Sequence, residues 1–344
     1  MSIKFHAALA ATALLHAGAL SAQSATPAEA PASLDKIVVS VEAPGPGMWK
    51  VAKGDNVLWL LGTQSPVLKN MRWKTKRVDA VVATAQEILA PPTTSVSAKQ
   101  LGYFTTLTLL PGAMQLKFNP KNGALKDQVP PELYARWVVL RDKYIDDTNT
   151  NNEEPAVERW RPLFAALELY RSAIDKSGLS SANPVMPRVR TGAATHKVKI
   201  TDVVLVPKID DPRGALSEFN SSRLADADCF EKTVARIETE LTAMRSRANA
   251  WARGNIEALR NLPAADQRAA CEAAVTNAAF VKTRGLEKLP AQLEAIWMTA
   301  AEKALATNKV TLAVLPITTL LARNGYIDKL RAKGYVVTEP GDDD

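Results

Sequence analysis

The chain has 344 residues, 47% hydrophobic and 23% charged, with 43 Lys and Arg against 36 Asp and Glu for a formal charge of +7. That length and balance support a full buried core and exclude disordered, collagen-like, coiled-coil and polytopic membrane classes. Three histidines and two cysteines leave few common metal ligands, and His6 and His16 sit close to the N-terminus, so only His196 lies beyond it.

Lys4, an apolar run over residues 7–20 and the small residues Ser21, Ala22, Ser24 and Ala25 have the pattern of a secretory signal peptide over residues 1–25. The run is short for a membrane span, and no cysteine follows it to carry a lipid. Residues 26–36 read as an extended Pro/Ala linker. Ordered structure is expected from about residues 37–41, with 37–344 forming a single domain. The mature protein is then expected to be periplasmic or secreted, with no transmembrane segment.

Met48-Trp49-Lys50-Val51 and Val57-Leu58-Trp59-Leu60-Leu61 read as two strands around the turn Lys53-Gly54-Asp55-Asn56. The second strand runs into Gly62-Thr63-Gln64-Ser65. Val78, Val81, Val82, Ala85, Ile88 and Leu89 recur at three- and four-residue steps, which predicts one helix, stopped by Pro91-Pro92. The middle is helical: Leu133, Trp137, Leu140 and Tyr144 share a face, as do Trp160, Leu163, Phe164, Leu167 and Tyr170. Residues 203–206 predict a further strand.

Phe230, Val234, Ile237, Leu241, Met244, Ala248 and Trp251 alternate four- and three-residue steps, a narrow apolar seam on one long helix. Packing within the molecule is the favoured reading of that seam, and docking of another chain is the alternative. Gly254 interrupts it and Pro263 ends the next piece. Helices over 266–281 and 290–306 follow, then a strand over 310–315, a helix to about Ala332, and the strand Tyr335-Val336-Val337-Thr338. Strands at both ends of a helical middle predict a mixed, helix-rich α/β fold whose ends pair in one sheet. Cys229 and Cys271 are an even pair, which in an exported chain favours a disulfide over buried thiols or a two-cysteine metal site.

This layout resembles the TraB/GumN family. The opening hairpin through Gly62-Thr63, the helix from Trp73 through Val78-Asp79-Ala80, Cys229, Ala250-Trp251-Ala252-Arg253-Gly254-Asn255 and Cys271 carry the likeness. So does the ending Asn324-Gly325-Tyr326-Ile327-Asp328-Lys329-Leu330-Arg331-Ala332-Lys333-Gly334-Tyr335-Val336-Val337. The family is similar to the Tiki proteases, the erythromycin esterases and the haem-uptake ChaN proteins. The resemblance implies an α/β fold with two sheet-containing halves facing a cleft. It also implies a Gly-x-x-His motif after the first hairpin, a Glu ending the next strand, and a second Gly-x-x-His before the C-terminal helix. Two imidazoles and a carboxylate hold a divalent metal while leaving a position open for water.

The sequence departs from that pattern at every ligand. Ser65 replaces the first histidine in Gly62-Thr63-Gln64-Ser65, and Pro91 falls where the glutamate belongs. Pro316-Ile317-Thr318-Thr319 replaces the second motif, with Pro316 at its glycine and Thr319 at its histidine. Neutral hydroxyls are poor substitutes for imidazole on a transition metal, so no metal, cofactor or catalytic residue is implied. His196 lies between Thr195 and Lys197, and nearby lysines disfavour its protonation and repel a cation. A Ser65–His196–acid triad lacks a nucleophile elbow. The acidic neighbours Glu153-Glu154 and Asp210-Asp211 read as solvated loop charges.

Basic clusters occur at Arg72, Lys74, Lys76 and Arg77 around Trp73, and at Arg188, Arg190, Lys197 and Lys199. They read first as solvated surface. If they bind, an exported chain would meet an anionic polysaccharide or lipid, or an envelope protein, and not nucleic acid. The expected role is a degenerate, non-catalytic envelope protein that binds a partner or ligand. A residual hydrolase using other residues and a structural interaction protein are the alternatives.

Overall fold

The computed structural model describes residues 45–95, 103–146, 156–222, 224–262 and 266–342. The expected leader, linker and first ordered residues at 37–41 lie outside that set, as do Glu153, Glu154 and Pro263.

Strands β1 (Met48–Lys53) and β2 (Asn56–Thr63) form the expected antiparallel hairpin, in register from Met48↔Leu61 to Lys53↔Asn56. Gly54 holds the turn at φ +57°, a left-handed conformation open to glycine without a Cβ clash. After β3 (Val67–Leu68) comes α1 (Lys76–Thr84), with Val78, Val81 and Val82 on its buried face. This helix ends earlier than the periodicity predicts: Ala85 is extended, and Glu87–Leu89 form strand β4. A two-residue apolar step such as Ile88-Leu89 fits either period, and pairing with neighbouring strands decides between them.

The chain continues through β5 (Thr93–Thr94), α2 (Tyr103–Gln115), α3 (Pro131–Tyr144), α4 (Pro162–Lys176), β6 (Leu179–Ser180) and α5 (Val185–His196). Next come β7 (Lys199–Thr201), β8 (Val204–Leu205), α6 (Pro212–Ser221), α7 (Ala227–Thr239), α8 (Leu241–Ala252) and α9 (Ile256–Asn261). Last are α10 (Asp266–Thr276), α11 (Ala279–Thr283), α12 (Leu289–Thr307), β9 (Val310–Pro316), α13 (Ile317–Leu320), α14 (Tyr326–Ala332) and β10 (Val336–Thr338).

The fold is mixed α/β and helix-rich. One six-stranded sheet has the order β10-β1-β2-β9-β4-β7, and two ladders pair β3 with β6 and β5 with β8. The two ends of the chain do meet in one sheet: β10 runs antiparallel to β1, and β9 lies parallel between β2 and β4. Residues 311–315 of β9 are all buried, as a strand covered on both faces requires. The strand predicted at 203–206 is reduced to β8, whereas β7, which was not anticipated, completes the main sheet.

Two main hydrophobic cores form. One lies on the sheet and gathers Trp49, Leu58, Leu60, Leu312 and Trp297 of α12. The other lies among α3, α4, α7 and α10, where Trp137 and Phe230 meet at 5.2 Å. Inside it Glu158, 1% exposed, accepts hydrogen bonds from Tyr134 Oη at 3.0 Å, Trp137 Nε1 at 3.1 Å and the Arg141 guanidinium. Burying a carboxyl group is costly unless its oxygens are paired in this way.

The predicted seam spans both cores and is spent inside the molecule: Phe230, Val234 and Ile237 enter the helical core, Ala248 and Trp251 the sheet core. It is broken at one point. Glu240 leaves helical geometry at φ −108°, ψ 1°, so two helices, α7 and α8, replace the single one expected. Residues 266–281 likewise split into α10 and α11.

Cys229 of α7 and Cys271 of α10 form a disulfide, with Cα atoms 4.5 Å apart and a sequence separation of 42. Replacing both with alanine is expected to lower the unfolding free energy by about 3–4 kcal/mol, because the unfolded chain regains the freedom of that loop. The measurement is a fall in urea midpoint, with an unchanged far-ultraviolet spectrum before denaturant is added.

Candidate functional site

The parallel register of β2 and β9 sets Gly62 opposite Leu315 and Thr63 opposite Pro316. On the other side of β9, Leu89, the last residue of β4, faces Ala313, and Pro91 follows two residues later. The three stretches singled out by sequence therefore reach one place, the carboxyl ends of adjacent parallel strands. That edge is where open parallel sheets commonly bind ligands.

Gly62 is fixed from two sides. Trp251 Nε1 donates to its carbonyl oxygen at 2.8 Å, and Trp251 in turn leans on Trp73 with ring centroids 5.8 Å apart. A Cβ on residue 62 would lie 2.4 Å from Ile317 Cδ1, so glycine lets α13 close over the end of β2. Gly254, at φ +69° after α8, serves the same joint, since a Cβ there would lie 2.6 Å from the Gly45 carbonyl oxygen.

Thr63 Oγ1 donates to the Leu315 carbonyl at 3.3 Å. Gln64 is 4% exposed; its Nε2 donates to the Ser65 carbonyl at 3.1 Å, and its buried Oε1 has no partner among the described residues. Ser65 is exposed, precedes a cis bond to Pro66, and donates from Oγ to the Ser181 carbonyl at 3.2 Å. Pro91, Pro316 and Thr319 are half-buried. Beside Ser65 and Ser181, the β3–β6 ladder borders a surface groove of about 410 Å³ lined by Val67, Leu68, Met71, Asn183 and Pro187.

This donor set does not fit the metal that the resemblance implies. It offers hydroxyls, one amide and two prolines, and the Thr63 and Ser65 hydroxyls are already committed to carbonyls. Among the described residues no group of three or more His, Cys, Asp or Glu is placed to hold a metal ion. His196 gives no help. It is exposed at the end of α5, three residues before β7, whose first residue Lys199 pairs with Glu87. It thus lies at the amino edge of the parallel strands, opposite Ser65, and the two cannot form a triad.

Sequence reasoning missed the polar network at that amino edge. The Glu87 carboxylate accepts from Thr201 Oγ1 and from Asn308 Nδ2 at 2.9 Å, with Lys199 Nζ at 3.7 Å. It ties β4, β7 and the approach to β9 together, and a single acid in a short apolar stretch gave no signal of it. The predicted basic clusters are partly structural. Arg188 donates to Asp79 at 2.6 and 2.9 Å and holds that carboxyl below the ordinary carboxylate range, with Thr75 assisting; Arg77 stands over the Trp59 ring at 5.7 Å. Asp211 caps α6 by accepting from the Gly214 backbone N–H at 2.9 Å.

Residues 47–339, nearly the whole chain, match the model of the TraB/PrgY/gumN family. The chain belongs to that family. No curated protein and no solved structure matches it. In this TraB/PrgY/gumN member the positions that the sequence resemblance assigned to ligands carry Ser65, Pro91 and Thr319.

Trp251→Phe keeps the ring but leaves the buried Gly62 carbonyl without its donor, and is expected to cost about 1–3 kcal/mol by chemical denaturation. Tyr326, at the start of α14, packs on Trp297 with ring centroids 4.3 Å apart. Burial, with Glu294 nearby, pushes its hydroxyl from 10.0 up to about 12. The folded state therefore holds this proton more tightly than the unfolded chain. The stability it contributes is fully present below pH 10 and is lost as pH rises through 12. Burial raises the Tyr170 hydroxyl too, so phenolate absorbance should show a late tyrosine phase that Tyr326→Phe diminishes, with a flatter alkaline loss of stability.

Proposed function

We propose that this TraB/PrgY/gumN protein is a non-catalytic member that acts by binding a partner or ligand at the carboxyl edge of its sheet. The observation that carries this reading is the donor set there: strand register brings the ends of β2, β9 and β4 to one edge, and Ser65, Pro91 and Thr319, which follow those ends, bear no imidazole or carboxylate. A hydrolase of the metal type needs a polarised water, and these side chains supply neither the cation nor a base to make one. What the edge does supply is a fixed polar surface: Ser65, Thr318 and Thr319 reach solvent to different degrees around the anchored Gly62.

We place the working protein outside the cytoplasm, in the periplasm or secreted. The signal-like residues 1–25 support this, as does a disulfide, a bond that persists in oxidising compartments. The partner would then be a component of the cell envelope, either a protein or an anionic polymer or lipid.

Elemental analysis of chelator-free protein, followed by Mn²⁺, Co²⁺ and Zn²⁺ titration by calorimetry, tests the reading. The expected result is no stoichiometric metal and no binding tighter than about micromolar, near 8 kcal/mol. Stoichiometric metal at that affinity would overturn the non-catalytic reading in favour of a metallohydrolase using other ligands.

A further inference from the structure

Helix α2 presents exposed apolar side chains near its C-terminal end. Its thirteen residues, Tyr103–Gln115, include no charged side chain. Leu110 is 54% exposed and Met114 67%, with Pro111 and Ala113 exposed between them. The opposite side rests on α6. A Cβ on Gly112 would lie 2.7 Å from Leu216 Cδ2, Asn220 Nδ2 donates to the Gly112 carbonyl at 3.0 Å, and Arg213 donates to Thr108 Oγ1 at 2.8 Å. The acids of α6 turn elsewhere: Asp211 and Glu218 face Arg284, at 4.0 and 2.9 Å.

Charge along this stretch of the sequence is of one sign. From Ile88 to Lys126 the sequence contains no Asp or Glu, and its only charges are Lys99, Lys117, Lys121 and Lys126. Lys117 follows the helix directly and stands over the Trp160 ring at 4.1 Å, while Lys121 and Lys126 are exposed. An uncharged apolar face with lysines at its flanks matches the boundary of a bilayer, where chains take the apolar side chains and headgroups take the ammonium groups. Among the described residues no helix is long and apolar enough to cross a membrane, so the contact of α2 would be superficial. A second copy of this chain fits less well, because it would set lysine flank against lysine flank.

We propose that α2 docks this protein on an anionic phospholipid surface, with Leu110 and Met114 entering the interface and Lys121 and Lys126 held by the headgroups. This surface is separate from the carboxyl edge of the sheet, and the proposal does not depend on what that edge binds.

The test is co-sedimentation of the full mature chain with phosphatidylglycerol-containing vesicles and with pure phosphatidylcholine vesicles, at low and high salt. The expected result is partition onto the anionic vesicles only, weakened by salt. Leu110→Glu/Met114→Glu should reduce that partition by about tenfold or more, and Lys121→Gln/Lys126→Gln should reduce its salt dependence. All four side chains are exposed, so circular dichroism should show both variants folded. Absence of partition, or equal partition by the Glu double variant, would overturn the proposal. A dimer in light scattering that the Glu variant splits, with no vesicle binding, would overturn it in favour of a second copy.

Discussion

The parallel pairing of β2 with β9 is the constraint on which the rest depends. Seven residue pairs, from Val57↔Val310 to Thr63↔Pro316, join segments about 250 positions apart. This pairing puts β9 inside the sheet, where its other side pairs with β4, and sets Gly62 and Thr63 level with Leu315 and Pro316. Loop-closure entropy grows only slowly with length, so the long connection is affordable once β9 is fully buried. The near-continuous apolar run Leu312-Ala313-Val314-Leu315 supplies that burial.

The helical region is bound to this sheet through one rod with a bend. On one side of Glu240, α7 holds the helical core and the disulfide; on the other, α8 carries Trp251 to the end of β2. The indole N–H on the Gly62 carbonyl gives the contact direction as well as area, since a buried carbonyl accepts from a narrow range of angles. The carboxyl edge is therefore positioned by both cores, although its own side chains make only short local hydrogen bonds.

Much of the sheet could be read from sequence because its long strands alternate or run apolar over five residues or more. β4 and β7 could not. Each has three residues, and Lys199-Ile200-Thr201 has a single apolar member, so its strand state comes from its neighbours and not from its own pattern. The break in the seam was equally invisible, because the four-three spacing continues across Glu240 and only the direction of each half distinguishes two cores from one. At the candidate site, Gly62, Ser65, Pro316 and Thr319 come from motif position, and strand register brings the segments that precede Ser65 and Thr319 to one edge. The donor to Gly62 lies 189 residues away, beyond any local signal. The place of His196 at the opposite edge follows from β7, a strand with no signal of its own in the sequence.

The closed arrangement of the chain ends also sets a timetable. β1 and β2 emerge early during synthesis, yet the strands that flank them, β10 and β9, are the last to be made. At about 5–20 residues per second, the hairpin waits roughly 10–50 seconds with both outer edges unpaired and Leu58, Leu60 and Leu61 uncovered. An unpaired apolar edge of that kind is a template for pairing with other chains. The nascent protein thus has a vulnerable interval fixed by its topology, and a holding factor acting on the first sixty or so residues would be needed only until β9 arrives.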